Sequence, residues 1–223
     1  MTPFQNPTIY IGGLRIDEPV TTITDFLFVG VCVFAFFKTA SASNTPAQNL
    51  YRWFFLLTGI STFIAALIGH TFLYYFGNEA KIYGWITGVI SISFSQFAAI
   101  HHVKKRIHQT LFKFLIALCC IEIVIASIAV FWFWTFKVVE IHTAFSLVLI
   151  VGTLELFYYK KTKSNLSLFM LYGVGALIIA VLCHVFKIAF SVWFNHADLA
   201  HIFMAISMYL MYLGVSKENR ISE

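Results

Sequence analysis

At 223 residues, 60% hydrophobic and only 11% charged, with a mean hydropathy of +0.83, the chain carries less than half the charge expected of a soluble domain, which is about a quarter of its residues. That balance excludes an ordinary water-soluble enzyme. It also excludes a nucleic-acid binder despite the net charge of +5, because the basic residues fill short gaps between apolar runs rather than lining a groove. Cys32, Cys119, Cys120 and Cys183 lie inside apolar runs without C-x-x-C spacing, so they read as small hydrophobes rather than disulfides or thiolate ligands.

Residues 1–22 are polar and contain Pro3, Pro7, Gly12, Gly13 and Pro19, with no basic run leading to a cleavage site. They are predicted to form a retained extracytoplasmic segment rather than a signal peptide. Seven apolar runs follow at 23–41, 52–76, 82–100, 110–133, 138–158, 166–190 and 197–214. Each is long enough to cross a hydrocarbon core of about 30 Å. The connectors are short, among them the Ser/Asn/Pro-rich Ser41–Tyr51 and the basic Lys160–Asn165. The expected architecture is all-α: one seven-helix transmembrane domain over 23–214 and a cytoplasmic tail at 215–223.

Lysine and arginine set the orientation. Eleven of them, including Lys104, Lys105, Arg106, Lys160, Lys161, Lys163 and Arg220, fall on one side, against Arg15, Lys81, Lys137 and Lys187 on the other. The amino terminus is therefore predicted outside and the carboxyl terminus inside. The expected setting is a multi-pass protein of a bacterial cytoplasmic membrane.

With a rise of about 1.5 Å per residue, the ionisable side chains can be assigned heights. Asp25 lies near the outer end of span 1. His70 falls about 9 Å beyond the middle of span 2, and His142 and His184 fall at similar heights. His201 lies about 6 Å outward of the centre of span 7, with Asp198 one turn above and His196 above that. Glu18 and Glu140 cap the layer. Ionisable groups at membrane depth are costly, so such a stratum marks a candidate functional site. The plain alternative is interhelical hydrogen bonding of modest strength.

Neutral imidazole and carboxylate suit zinc, with iron, manganese or another divalent metal as the alternative. The expected metal ligands are His70, Asp198 and His201, with Asp25 or His184 as general base or as the group that orients a ligand. Glu18, His142 and His196 are expected as supporting groups or alternative ligands. Elsewhere, Glu122 near the middle of span 4 is expected to be protonated or paired with Gln96 or Ser95, with a proton relay as the sharper alternative. Glu155 is expected to snorkel or pair with Lys160, and His101, His102 and His108 to be solvated in a connector.

His70 late in helix 2, His201 in the motif opening helix 7, and the acidic segment from Glu18 to Asp25 leading into helix 1 resemble the CREST superfamily. That superfamily comprises alkaline ceramidases, adiponectin/progestin-type receptors and related membrane hydrolases. Its members hold zinc with one helix-2 histidine and two helix-7 histidines at H-x-x-x-H spacing, and a serine and a helix-3 aspartate assist hydrolysis of a lipid amide. Here Ala197 and Ala66 stand where the first helix-7 histidine and the serine would fall, and Tyr83–Ile100 contains no aspartate. Asp198 and His196 stand nearby instead. The resemblance implies a divergent, bacterial-type, metal-dependent hydrolase of a lipid amide or ester, with a membrane lipid as substrate. The competing reading is a receptor, channel or proton-coupled transporter using the same His/Asp cluster. Haem ligation by His70 and His184 is a further alternative.

Overall fold

The computed structural model describes residues 7–40 and 45–217. Ser41–Asn44 of the first connector, the first six residues and Arg220 of the charge count lie outside the described residues. Residues read from sequence only as a polar segment form an antiparallel hairpin, β1 (Thr8–Ile11) and β2 (Leu14–Asp17), with Thr8 opposite Asp17. Its two-residue turn is Gly12-Gly13, both at positive φ (58° and 83°), the geometry that matches the twist of paired strands.

Seven helices long and apolar enough to cross a membrane follow. They are α1 (Pro19–Lys38), α2 (Pro46–Thr71), α3 (Asn78–Arg106), α4 (Gln109–Phe133), α5 (Phe136–Thr162), α6 (Asn165–Val185) and α7 (His196–Lys217). The chain is an integral, multi-pass helical membrane protein by this measure. α1 packs on α2, α2 on α3, α3 on α5, α5 on α6, α6 on α7 and α7 back on α1, while α4 lies outside against α3 and α5.

Two boundaries differ from the sequence expectation. α2 begins at Pro46 rather than 52, because Thr45 and Gln48 form a reciprocal capping box inside the polar connector. α6 stops at Val185 rather than 190. Lys187 there adopts a left-handed φ of 51°, and the N–H groups of Lys187 and Ile188 return to the carbonyls of His184 and Cys183. That is the Schellman pattern, which ends a helix whatever the hydropathy beyond it.

Two spans are not regular. Ala65–Thr71 of α2 and Ala144–Gly152 of α5 are π-helical. In the first, Phe72 N–H reaches back to Leu67 O and Thr71 Oγ1 donates to Ala66 O at 2.8 Å. Such segments change the angle at which later side chains leave the helix.

Small residues let α6 and α7 touch closely. A Cβ on Gly173 would meet Met211 Cγ at 2.5 Å, and one on Gly214 would meet Leu166 O at 3.0 Å. Apolar packing of this kind, rather than transfer from water, holds helices together in lipid. Phe28, Phe54, Phe55, Leu166, Met170, Met208 and Met211 fill the centre.

At the end of the bundle away from the hairpin, Glu155 does not meet Lys160 as expected. Its carboxylate is fully enclosed. It accepts from Tyr51 Oη at 2.9 Å and Ser167 Oγ at 2.6 Å, and it faces His102 Nδ1 at 2.9 Å. Four helices are joined there. The preceding π segment turns residue 155 inward, and α3 runs on to Arg106, which takes His102 out of the expected solvated connector.

Candidate functional site

The hairpin leads directly into the site. Asp17 accepts from Thr8 Oγ1 and from Arg15 Nε, both at 2.8 Å, and Glu18 N–H donates to Pro7 O. The hydrogen bond to Asp17 raises the Arg15 guanidinium further above its ordinary value, and the guanidinium also lies over the Tyr74 ring. Glu18 sits between this hairpin and Pro19, the first residue of α1, at φ 46° and ψ 54°. A left-handed conformation costs a non-glycine residue about 1–2 kcal/mol. Its consequence here is that the carboxylate turns across the end of α2, where Glu18 Oε2 lies 2.6 Å from His70 Nδ1.

His70 belongs to the π-helical end of α2. Thr71 beside it meets Thr22 of α1 hydroxyl to hydroxyl at 2.9 Å, which ties the two helices at this level. Asp25, one turn further along α1, is 1% exposed. Its Oδ2 lies 3.8 Å from His70 Nε2 and its Oδ1 lies 3.3 Å from His201 Nδ1. The two imidazole centroids are 6.3 Å apart. A single buried carboxylate therefore stands between histidines from α2 and α7.

Hydrogen bonding assigns the ring hydrogens. Thr24 Oγ1 donates its one hydrogen to Thr21 O at 2.9 Å. Toward His201 Nδ1, 3.2 Å away, it can therefore only accept. Nδ1 of His201 carries the hydrogen, shared between Thr24 and Asp25, and Nε2 is left with its lone pair. In His70, Glu18 engages Nδ1 in the same way, and Nε2 faces Asp25 Oδ2 at 3.8 Å. Both imidazoles are thus oriented from α1. This is the arrangement by which an outer carboxylate fixes the tautomer of a metal-binding histidine.

Asp198 opens α7. Its Oδ2 accepts from Asn195 N–H at 2.5 Å while Asn195 Oδ1 accepts from Ala197 N–H at 2.7 Å, a reciprocal cap. Although Asp198 is fully buried, its Oδ1 finds no hydrogen-bond donor among the described residues, and neither does Asp25 Oδ2. Buried polar atoms are seldom left unmatched. Two such carboxylate oxygens and two histidines at one end of the bundle are donor types of the right chemistry for a divalent ion. Among the described residues, no three His, Cys, Asp or Glu side chains are already gathered closely enough to hold one.

The structure brings Glu18, Asp25, His70 and His201 together, with Asp198 on the turn before His201. His184 stands at the rim of the same end. Its Nε2 lies 3.3 Å from Glu140 Oε1, and its ring lies 5.1 Å from that of His196. Lys137 approaches the same Glu140 at 3.6 Å. His142 does not join this cluster. Its Nδ1 lies 2.5 Å from Glu122 Oε1 of α4, and its side chain is 1% exposed. Glu122 meets Gln96 as expected from the sequence, at 3.4 Å. Sequence reasoning missed Thr24, Thr22, Thr71 and Asn195. Only the Asn195-x-x-Asp198 spacing, a capping pattern, could have signalled one of them.

No curated protein matches the chain, and no solved structure does. A family match extends over residues 20–220, from the start of α1 to beyond the end of α7. The chain belongs to that family, described as a family of unknown function (DUF6962).

Proposed function

We propose that the protein is a zinc-dependent membrane hydrolase acting on the amide or ester bond of a lipid. One observation carries this reading: the Nδ1 atoms of both His70 and His201 are engaged by oxygens from the start of α1, which makes Nε2 the atom each ring would give to a metal, that of His70 beside Asp25 Oδ2 at 3.8 Å. The residues that would hold the ion are His70 and His201 through Nε2 and Asp198 through its unmatched Oδ1. Bound there, zinc would lower the pKa of a water molecule and polarise the substrate carbonyl.

The chain's own groups supply the rest. Glu18 and Thr24 hold the imidazoles in place, and Asp25 does the same for His201 through Oδ1. Asp25 Oδ2, without a donor of its own, takes a proton from the attacking water. As the acyl C–N or C–O bond breaks, that proton passes to the departing amine or alcohol, and the acyl group leaves as a carboxylic acid. The excess of basic residues at the opposite end of the helices supports an outward-facing site. Exposed Trp132, Trp134 and Trp193 near this end fit headgroup depth, which suits entry of a lipid from the side.

The test is elemental analysis of the purified full chain beside His70→Ala and His201→Ala, with release of fatty acid from lipid amides and esters measured in parallel. Near-stoichiometric zinc in the unaltered protein, lost in both variants together with hydrolysis, is expected. A protein that takes up no transition metal even from zinc-supplemented buffer would overturn the reading.

A further inference from the structure

We infer that Glu122, His142 and Gln96 form a reversible proton-binding site at the junction of α3, α4 and α5, apart from the cluster of His70, Asp25 and His201. Glu122 lies one residue past the midpoint of α4, and the pair it makes with His142 joins this outer helix to α5. The proton inventory follows from the partners. His142 Nε2 lies 3.1 Å from Val89 O, which can only accept, so Nε2 carries a hydrogen. His142 Nδ1 and Glu122 Oε1 are 2.5 Å apart, a separation at which two lone pairs repel unless a proton stands between them. The pair therefore holds one shared proton and is neutral overall, which is the form that hydrocarbon depth favours.

Gln96 provides for a second proton. It is fully buried on α3, and its Nε2 donates to Ser146 Oγ at 2.8 Å and toward Glu122 Oε2 at 3.4 Å. Its Oε1 receives nothing among the described residues. A half-turn of the amide brings Oε1 to the place Nε2 now holds. There it can accept from a protonated Glu122 Oε2 and from the Ser146 hydroxyl, while the amide N–H groups move to the side where Oε1 now finds no partner among the described residues. One arrangement of the amide thus fits the neutral pair and the other fits the pair carrying an added proton. The titratable groups facing Glu122 are His142 from α5 and Cys119 one turn earlier on its own helix. From α3 it meets the uncharged Gln96, and α5 adds the uncharged Ser146. The π-helical segment of α5 begins two residues after His142, and such segments recur at functional positions.

The experiment is acid-minus-neutral infrared difference spectroscopy on the full chain in lipid. A protonated-carboxyl band is expected in the unaltered protein and absent in Glu122→Gln. In Gln96→Leu, which keeps the Glu122–His142 pair but removes the acceptor, the second proton should bind about tenfold more weakly, the worth of one hydrogen bond. Absence of any carboxyl band in the unaltered protein overturns the inference. So does a band that persists unchanged in Glu122→Gln. Should Glu122→Gln fail to fold, an unaltered titration of Gln96→Leu is by itself sufficient to overturn it.

Discussion

Glu18 and His70 meet at 2.6 Å although 52 residues separate them, and the contact exists because Glu18 adopts a left-handed backbone between the hairpin and the proline that starts α1. A residue with ordinary φ at that junction would send its side chain elsewhere. The strained peptide and the oriented imidazole are two aspects of one feature, and strain of this sort recurs where a side chain must be held for function.

Replacing Glu18 separates its two effects. In Glu18→Gly the carboxylate is gone and the left-handed φ is relieved, by about 1–2 kcal/mol. We expect zinc affinity, read by chelator competition, to fall about 10- to 100-fold, the usual effect of removing a partner that orients a ligand. Thermal stability without metal should be held or slightly raised. Unchanged affinity would remove Glu18 from the orienting role.

Two glycines of α6, two residues apart, should respond with opposite signs. Gly173→Ala places a Cβ 2.5 Å from Met211 Cγ and 3.1 Å from Ser207 O, so α6 and α7 must separate or Met211 must repack. A destabilisation of about 1–3 kcal/mol is expected from such overpacking. A Cβ at Gly175 meets nothing within 4 Å, so Gly175→Ala should be neutral or stabilising by up to about 1 kcal/mol through helix propensity. Thermal unfolding of the two variants in the same detergent compares them directly.

Glu155 is expected to be the most sensitive single position at the end away from the hairpin. Glu155→Leu leaves the Tyr51 and Ser167 hydroxyls, which now donate to it, without that acceptor in a buried setting. Breaking such a network from one side typically costs about 3–5 kcal/mol. Loss of folded protein in size-exclusion profiles is the expected result, while Lys160→Ala, which removes the partner anticipated from sequence, should behave like the unaltered chain.

The seven membrane-crossing helices were legible in the sequence because the length of an apolar run is a local property. So was the gathering of ionisable residues toward one end. Height along a helix accumulates at a nearly constant rise, so His70, Asp25 and His201 could be assigned to a common level by counting. Direction around the helix does not accumulate so simply. The π-helical turns of α2 and α5 shift the angle of every side chain that follows, and nothing in residue spacing announces them.

Tertiary structure alone decided who meets whom. His142, similar in height to the end cluster by residue count, turns instead to Glu122. Glu155, expected from the sequence to lean toward the basic connector, becomes the buried junction of four helices. The partners that fix the tautomers of His70 and His201 come from α1, through a strained glutamate and a threonine hydroxyl already committed to a carbonyl. Composition and periodicity determined that this chain has seven helices long and apolar enough to cross a membrane, and how far along each helix its polar groups lie. The packing of helices against one another determined which of those groups share a proton, because that depends on angles that only contact between distant segments sets.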